Sequence, residues 1–189
     1  MFSNKYIFLY TSALVVAVAV LALTASLLQP MQELNRKTAK MQEILKAAGK
    51  TVTGEEAVSA YDREITSEWM VDMQGRIVSE YKNEKGEWKA VQGGERALRA
   101  FDCDLKAQLN KSAAGDADAL FPIFVCRGNR YIVPLQGKGL WGPIWGYLAL
   151  DDDFNTVSGA TFGHKGETPG LGAEIAEDAF KQAFKGKKL

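Results

Sequence analysis

The hydrophobic positions of this chain fall into one dense block followed by several periodic ones. Between residues 6 and 32 no side chain is charged: YIFLYTSALVVAVAVLALTASLLQPMQ. Its apolar heart, residues 6–28, would make about 34 Å of helix at roughly 1.5 Å per residue, enough to cross a bilayer with some tilt. The block is apolar on every side, which does not suit the surface of a soluble domain. It therefore predicts a retained transmembrane helix. A cleaved signal peptide is the competing reading, because Ala22, Thr24 and Ser26 offer small residues near the end of the block, although such peptides usually carry only about 7–15 apolar residues.

Beyond the block the periodicity changes. Met31, Leu34, Met41, Ile44, Leu45 and Ala48 recur at three-, four- and seven-residue spacings, predicting an amphipathic stalk helix over 29–50 that ends near Gly49. Residues 51–65 are polar and loop- or helix-like. Alternation over 68–91, around Gln74-Gly75 and Lys85-Gly86, predicts β-hairpins. In ERALRAFDCDLKAQLNK, Leu98, Phe101 and Leu105 lie at i, i+3 and i+7 and predict a helix, and SAAGDAD reads as a loop. LFPIFVCRGN and RYIVPLQGKG predict two strands turning at Gly128-Asn129. LWGPIWGYLALDDDFNTVSGATFGH predicts a strand, a turn over 151–155 and a returning strand. Ile175, Ala179, Phe180, Ala183 and Phe184 line one face of a last predicted helix, with Gly186 as its C-cap. There is no internal repeat. The pattern is that of an α+β protein, one domain over 51–189 with a mainly antiparallel sheet and flanking helices.

Composition narrows the function. Lys+Arg 23 balances Asp+Glu 23 for a formal net charge of +0, which argues against a nucleic-acid partner. Cys103 and Cys126 have no CxxC spacing and no neighbouring histidine, so no metal site is expected; a disulfide and buried free thiols both remain open. His164 is the only histidine, without the partners of metal or triad chemistry. Asp151, Asp152 and Asp153 read as a solvated turn.

Two glycine-rich stretches are the candidates for ligand contact. In GHKGETPGLGAEI, Gly163, Gly166, Gly170 and Gly172 surround Pro169, so the segment is an irregular loop whose backbone can approach a flat ligand and donate N–H groups. Glu167 adds a carboxylate, Thr168 a hydroxyl, and Leu171 an apolar side chain. A helix predicted to open near Ala173 would favour an anionic group such as phosphate; a helix-entry turn without a ligand is the plainer reading. The spacing is neither GxxxxGK[ST] nor GxGxxG. In GKGLWGPIWGYLAL, Trp145 and Tyr147 read as core, while Gly139, Leu140 and Trp141, at a bend, read as ligand-facing.

Taken together, the N-terminal block, GLWGPIWGYLAL, NTVSGATF and GETPGLGAEI resemble the family of the C subunit of the sodium-translocating NADH:quinone reductase, with the G subunit of the Rnf electron-transport complex as a more distant relative. The resemblance implies an FMN-binding domain on the periplasmic face of a bacterial inner membrane, held by a single-pass helix with residues 1–5 on the cytoplasmic side. That orientation runs against the weak charge count, in which Arg36, Lys37 and Lys40 outweigh Lys5. It also implies the rest of the complex and a flavin transferase as partners, the lipid bilayer as surroundings, and a relay from NADH to quinone coupled to sodium export by the other subunits. The expected FMN contacts are Glu167, Thr168, Pro169, Gly170, Leu171 and Gly172, with Gly139, Leu140 and Trp141.

In that family a transferase joins FMN through its phosphate to the threonine of a Ser-Gly-(Ala or Gly)-Thr peptide. Val-Ser-Gly-Ala-Thr at 157–161 looks like one. However, Asn155 stands where the family has an acidic residue, Phe162-Gly163 follow the threonine without a hydroxyl, and the peptide precedes the GETPGLG loop instead of following it. Its alternation also reads as a hairpin's return strand. Thr161 is therefore expected to be structural, the tether being expected in a segment beyond FKGKKL. The alternative function is a membrane-anchored extracytoplasmic interaction or assembly module without flavin.

Overall fold

The computed structural model describes residues 4–94 and 97–189, with side chains from residue 6 onward. Residues 1–3 of the predicted cytoplasmic terminus, and positions 95 and 96 of a predicted helix, lie outside the described residues. The described chain divides into two units, Met1–Ala39 and Lys40–Leu189.

The first unit is helical, part of α1 (Asn4–Ala47). Its apolar side chains are exposed along the whole charge-free block, and the helix is long and apolar enough to cross a membrane. Its few polar side chains bond back to their own helix: Thr11 to the Ile7 and Phe8 carbonyls, Ser12 to Leu9, Thr24 to Val20 and Leu21. Such self-satisfaction is what a low-dielectric surrounding demands. The sequence pattern placed two helices here. Instead α1 runs on through Pro30, although an interior proline removes one ladder bond.

The second unit begins inside the predicted stalk. Ile44, Leu45, Ala47 and Ala48 are buried core residues, so the end of α1 belongs to the domain instead of linking to it. Helix α2 (Ala57–Glu64) follows, then β1 (Ile65–Val71), β2 (Ile77–Glu84), β3 (Glu87–Gln92), α3 (Leu105–Ala113), β4 (Phe121–Cys126), β5 (Arg130–Lys138), β6 (Pro143–Leu150), β7 (Val157–His164) and α4 (Asp178–Gln182). The strands form one sheet in the order β3-β2-β1-β4-β5-β6-β7, every pair antiparallel. The predicted turn residues do the turning: Lys85 and Gly86, and Gly128 and Asn129, all have positive φ, as two-residue hairpins require.

One face of the sheet carries the core. Phe124 pairs with Ile132, Ile132 with Ala149 and Tyr147 with Thr161, and Tyr61 of α2 packs edge-on to Phe101 and Phe124. Inside this core sits Glu68, fully buried. It accepts from the Tyr61 hydroxyl (3.0 Å), the Phe101 N–H (2.9 Å) and the Arg99 guanidinium. Both cysteines are free and buried; burial pushes the thiols up, to about 11 for Cys103 and about 12 for Cys126, so they stay protonated.

Two predicted helices are shorter than their periodicity suggests. Residues 97–99 are irregular and Ala100–Asp102 is a single 3-10 turn; α3 starts only after Asp104, whose carboxylate caps the Ala107 N–H. Near the C-terminus the predicted helix breaks at Glu177, which is extended (φ −79, ψ 149), into a 3-10 turn Gly172–Ala176 and the short α4. The chain then folds back on the sheet, the Gly186 N–H donating to the Val157 carbonyl. Phe180 and Phe184 meet Phe162 of β7, yet the predicted apolar face is not buried: Ala179, Phe180 and Ala183 are exposed.

Candidate functional site

Two loops meet at one end of the sheet. The first links β5 to β6 through residues 139–142, closed by the Gly139 N–H donating to the Gly142 carbonyl (2.7 Å). The second leaves β7 at His164 and runs to Gly172. Register brings them side by side, since Ile144 pairs with His164 and Trp145 with Gly163, and the Lys165 N–H bonds the Pro143 carbonyl.

Glu167 joins the two loops. Its Oε1 accepts the Trp141 N–H (3.0 Å), and its own N–H donates to His164 Nδ1 (3.2 Å). A Cβ on Gly139 would fall on the same carboxylate, and one on Gly172 would lie 2.8 Å from Oε2. Both glycines are thus explained by one side chain passing between them, a close approach that only a missing Cβ permits. Gly170, by contrast, has φ 74 and open space around its α-carbon, so it is there for the turn. The lone histidine has a positional role that the sequence did not indicate.

Around Glu167 the surface is apolar and open. Leu140 is 84% exposed, Trp141 68% and Leu171 74%, with Thr168, Pro169 and Gly170 exposed beside them. Isolated exposed leucines are ordinary; here three large apolar side chains stand exposed on two tied loops, an apolar platform of the two loop tips. Trp145 and Tyr147 instead turn into the molecule, as their sequence context suggested. Trp145 lies against Gly163, leaving no room for a Cβ there, and its indole N–H reaches Glu43 at 3.0 Å. Partial burial raises the Glu43 carboxyl, the indole hydrogen bond offsetting part of the rise.

Two expectations need correction. The Gly170 N–H is taken by Glu174 (3.0 Å), those of Leu171 and Ala173 by the Thr168 carbonyl (3.1 Å each), and that of Glu167 by His164, which narrows the set of donors available to a ligand. No α-helix opens at Ala173; Gly172–Ala176 is one 3-10 turn with Glu174 in its first turn. A carboxylate already stands where the phosphate was expected. Asp153 is exposed in a turn, as expected, and its carboxylate also caps that turn by accepting the Thr156 hydroxyl (2.6 Å) and the N–H groups of Asn155 and Thr156.

Thr161 lies within β7, opposite Tyr147 and 5% exposed. Its carbonyl is 2.5 Å from where a Cβ on Gly146 would stand. The Val-Ser-Gly-Ala-Thr peptide is strand, not exposed loop. Ser158 within it keeps a buried hydroxyl without a hydrogen-bond partner among the described residues.

Residues 139–188, which include both loops, match the FMN-binding domain family. The C subunit of the Na(+)-translocating NADH-quinone reductase of Chlamydia trachomatis is 53% identical over 58 residues, 31% of this chain and 18% of the relative. That of Pseudomonas aeruginosa is 31% identical over 169 residues, 86% of this chain and 63% of the relative. The chain thus spans under two thirds of these relatives' own lengths. The crystal structure of the same protein from Parabacteroides distasonis superposes with a TM-score of 0.66 at 36% identity, covering 85% of this chain and 70% of the other. Fold, loops and likeness along most of both chains agree: the chain belongs to the family of the Na(+)-translocating NADH-quinone reductase C subunits.

Proposed function

We propose that this chain is an FMN-carrying subunit of a membrane NADH:quinone oxidoreductase in which electron transfer is coupled to sodium export. The observation that carries the reading is the platform of Leu140, Trp141 and Leu171 around Glu167, inside the segment that matches an FMN-binding domain. In this reading FMN supplies the redox chemistry, and the chain binds and orients it. Leu140, Trp141 and Leu171 cover the ring and keep water from one side of it. Glu167 holds the two loops in register, and Thr168, Pro169, Gly170, Gly172 and Gly139 shape the rim. The helix of the first unit anchors the domain in a bacterial inner membrane with residues 1–5 inside and the domain on the periplasmic side. The partners are the other subunits and a flavin transferase.

In this proposal Thr161 does not tether the flavin, because a transferase needs an accessible hydroxyl and Thr161 is a buried strand residue. The test is to load the full chain with FMN, with and without a flavin transferase. Flavin retained through native desalting but absent from a denaturing gel is the expected result. A fluorescent gel band that disappears in Thr161→Ala would overturn the non-covalent assignment. No retained flavin under any condition would favour an interaction module instead.

A further inference from the structure

At the end of the sheet opposite the two loops, the β1 start, the β2–β3 turn and the β4–β5 turn come together, as the pairing of Ile65 with Cys126 requires. The distance along β5 is on the order of 30 Å at about 3.3 Å per residue. Two clefts open here, of about 570 and 470 Å³, and both are walled by Arg63 and Arg127. One continues to Lys50 and Val52, the other to Asn83, Lys85 and Gly86. Sharing the arginine pair as a common wall, they adjoin as a divided groove.

The groove is electropositive in a chain whose formal net charge is +0. Its buried acid, Glu64, is already held by Lys50 (2.5 Å) and Arg130 (3.2 Å). Asp62 receives the Trp88 indole N–H at 3.0 Å. Arg127 spends its Nε on the Arg63 carbonyl, which fixes the side chain across the groove. Among the described residues the Arg63 guanidinium and the Lys85 ammonium have no partner, and both are exposed. Guanidinium forks match the planar geometry of carboxylates, and that of Arg127 is held in place.

We infer that this groove is a docking site for an extended acidic segment of a neighbouring protein chain. Adjoining clefts with an arginine pair between them and an unpartnered Lys85 at one end suit a string of carboxylates better than a single small anion. Because it lies at the far end of the strands from the two loops, it can be filled without obstructing them. The inference does not depend on flavin being bound.

The test titrates the full chain with hexaglutamate and, separately, with inorganic phosphate. Hexaglutamate is expected to bind, more weakly as salt rises. Its affinity should fall by about tenfold or more in Arg63→Glu/Lys85→Glu, since reversing exposed charges at a complementary surface acts directly on association. Neither side chain supports the fold, so the melting temperature should not move. Arg63→Gln, which removes charge without adding any, should lose less. Equal affinity in wild type and the double variant overturns the proposal. So does phosphate displacing the peptide at matched concentration, which would make the groove a small-oxyanion site.

Discussion

Glu68 and Glu167 show how differently two regions of this molecule use a carboxylate. Glu68 is fully buried in the core and accepts from Tyr61, Phe101 and Arg99. Glu167 is half-buried, receives the Trp141 N–H, and occupies space that two glycines leave empty. The first arrangement holds a fold together, because a buried charge is tolerable only when its partners are all present. The second holds two loops at a fixed spacing while leaving leucine and tryptophan side chains in solvent. Buried support and exposed apolar surface are thus separated between the sheet core and one end of the sheet.

The largest expected effect comes from breaking the core carboxylate. Glu68→Ala leaves the Arg99 guanidinium and the Phe101 N–H without their acceptor, and should cost about 3–5 kcal/mol in urea denaturation. If the loss is under 1 kcal/mol, roughly the value of an exposed pair, Glu68 is no more a structural carboxylate than Glu167, and the contrast collapses. Next in size is Gly159→Ala. Its Cβ would strike the Ala47 carbonyl, forcing the end of α1 off the sheet at a cost of about 1–3 kcal/mol, read as a lowered melting temperature.

At the loop end the signs separate. Trp141→Ala and Leu171→Ala should leave stability within about 0.5 kcal/mol, because both side chains are exposed, yet lower flavin retention. A parallel loss of stability and flavin would mean that the platform is part of the fold. The smallest effect concerns Glu43. Burial raises its carboxyl, so the folded state favours the protonated form; that contribution is complete below the unfolded value of 4.5 and is lost as pH rises through the higher folded value. Glu43→Gln keeps an acceptor for the Trp145 indole and carries no charge. It should therefore raise the melting temperature at neutral pH and leave it unchanged below about pH 4. For Asp153, which the Thr156 hydroxyl and turn N–H groups hold down at about 2, the direction is reversed. Its contribution is present above the unfolded 3.8 and fades as pH falls toward 2.

Much of the fold was readable from residue patterns. Turn positions at Lys85-Gly86 and Gly128-Asn129 were legible because glycine and asparagine, which take positive φ readily, mark them, Lys85 sharing its turn with Gly86. The strand character of Val-Ser-Gly-Ala-Thr was legible from alternation alone. The short helices were not. Leu98, Phe101 and Leu105 keep helical spacing, but Glu68 draws the Phe101 N–H to itself, and Asp104 starts the helix three positions after Phe101. At the C-terminus, the bond from Gly186 to Val157 pulls the chain back to the sheet. Both are long-range competitors that a local period does not contain.

By itself, then, the sequence determined the charge-free helix, the antiparallel α+β sheet, the glycine-rich loops and the family, because each is written in local composition or spacing. Only the tertiary structure decided that the stalk's end is core, that Glu167 is the tie explaining Gly139 and Gly172, and that Arg63, Lys85 and Arg127 share one groove. Those arrangements join segments far apart along the chain, and strand register together with helix packing on the sheet brings them together.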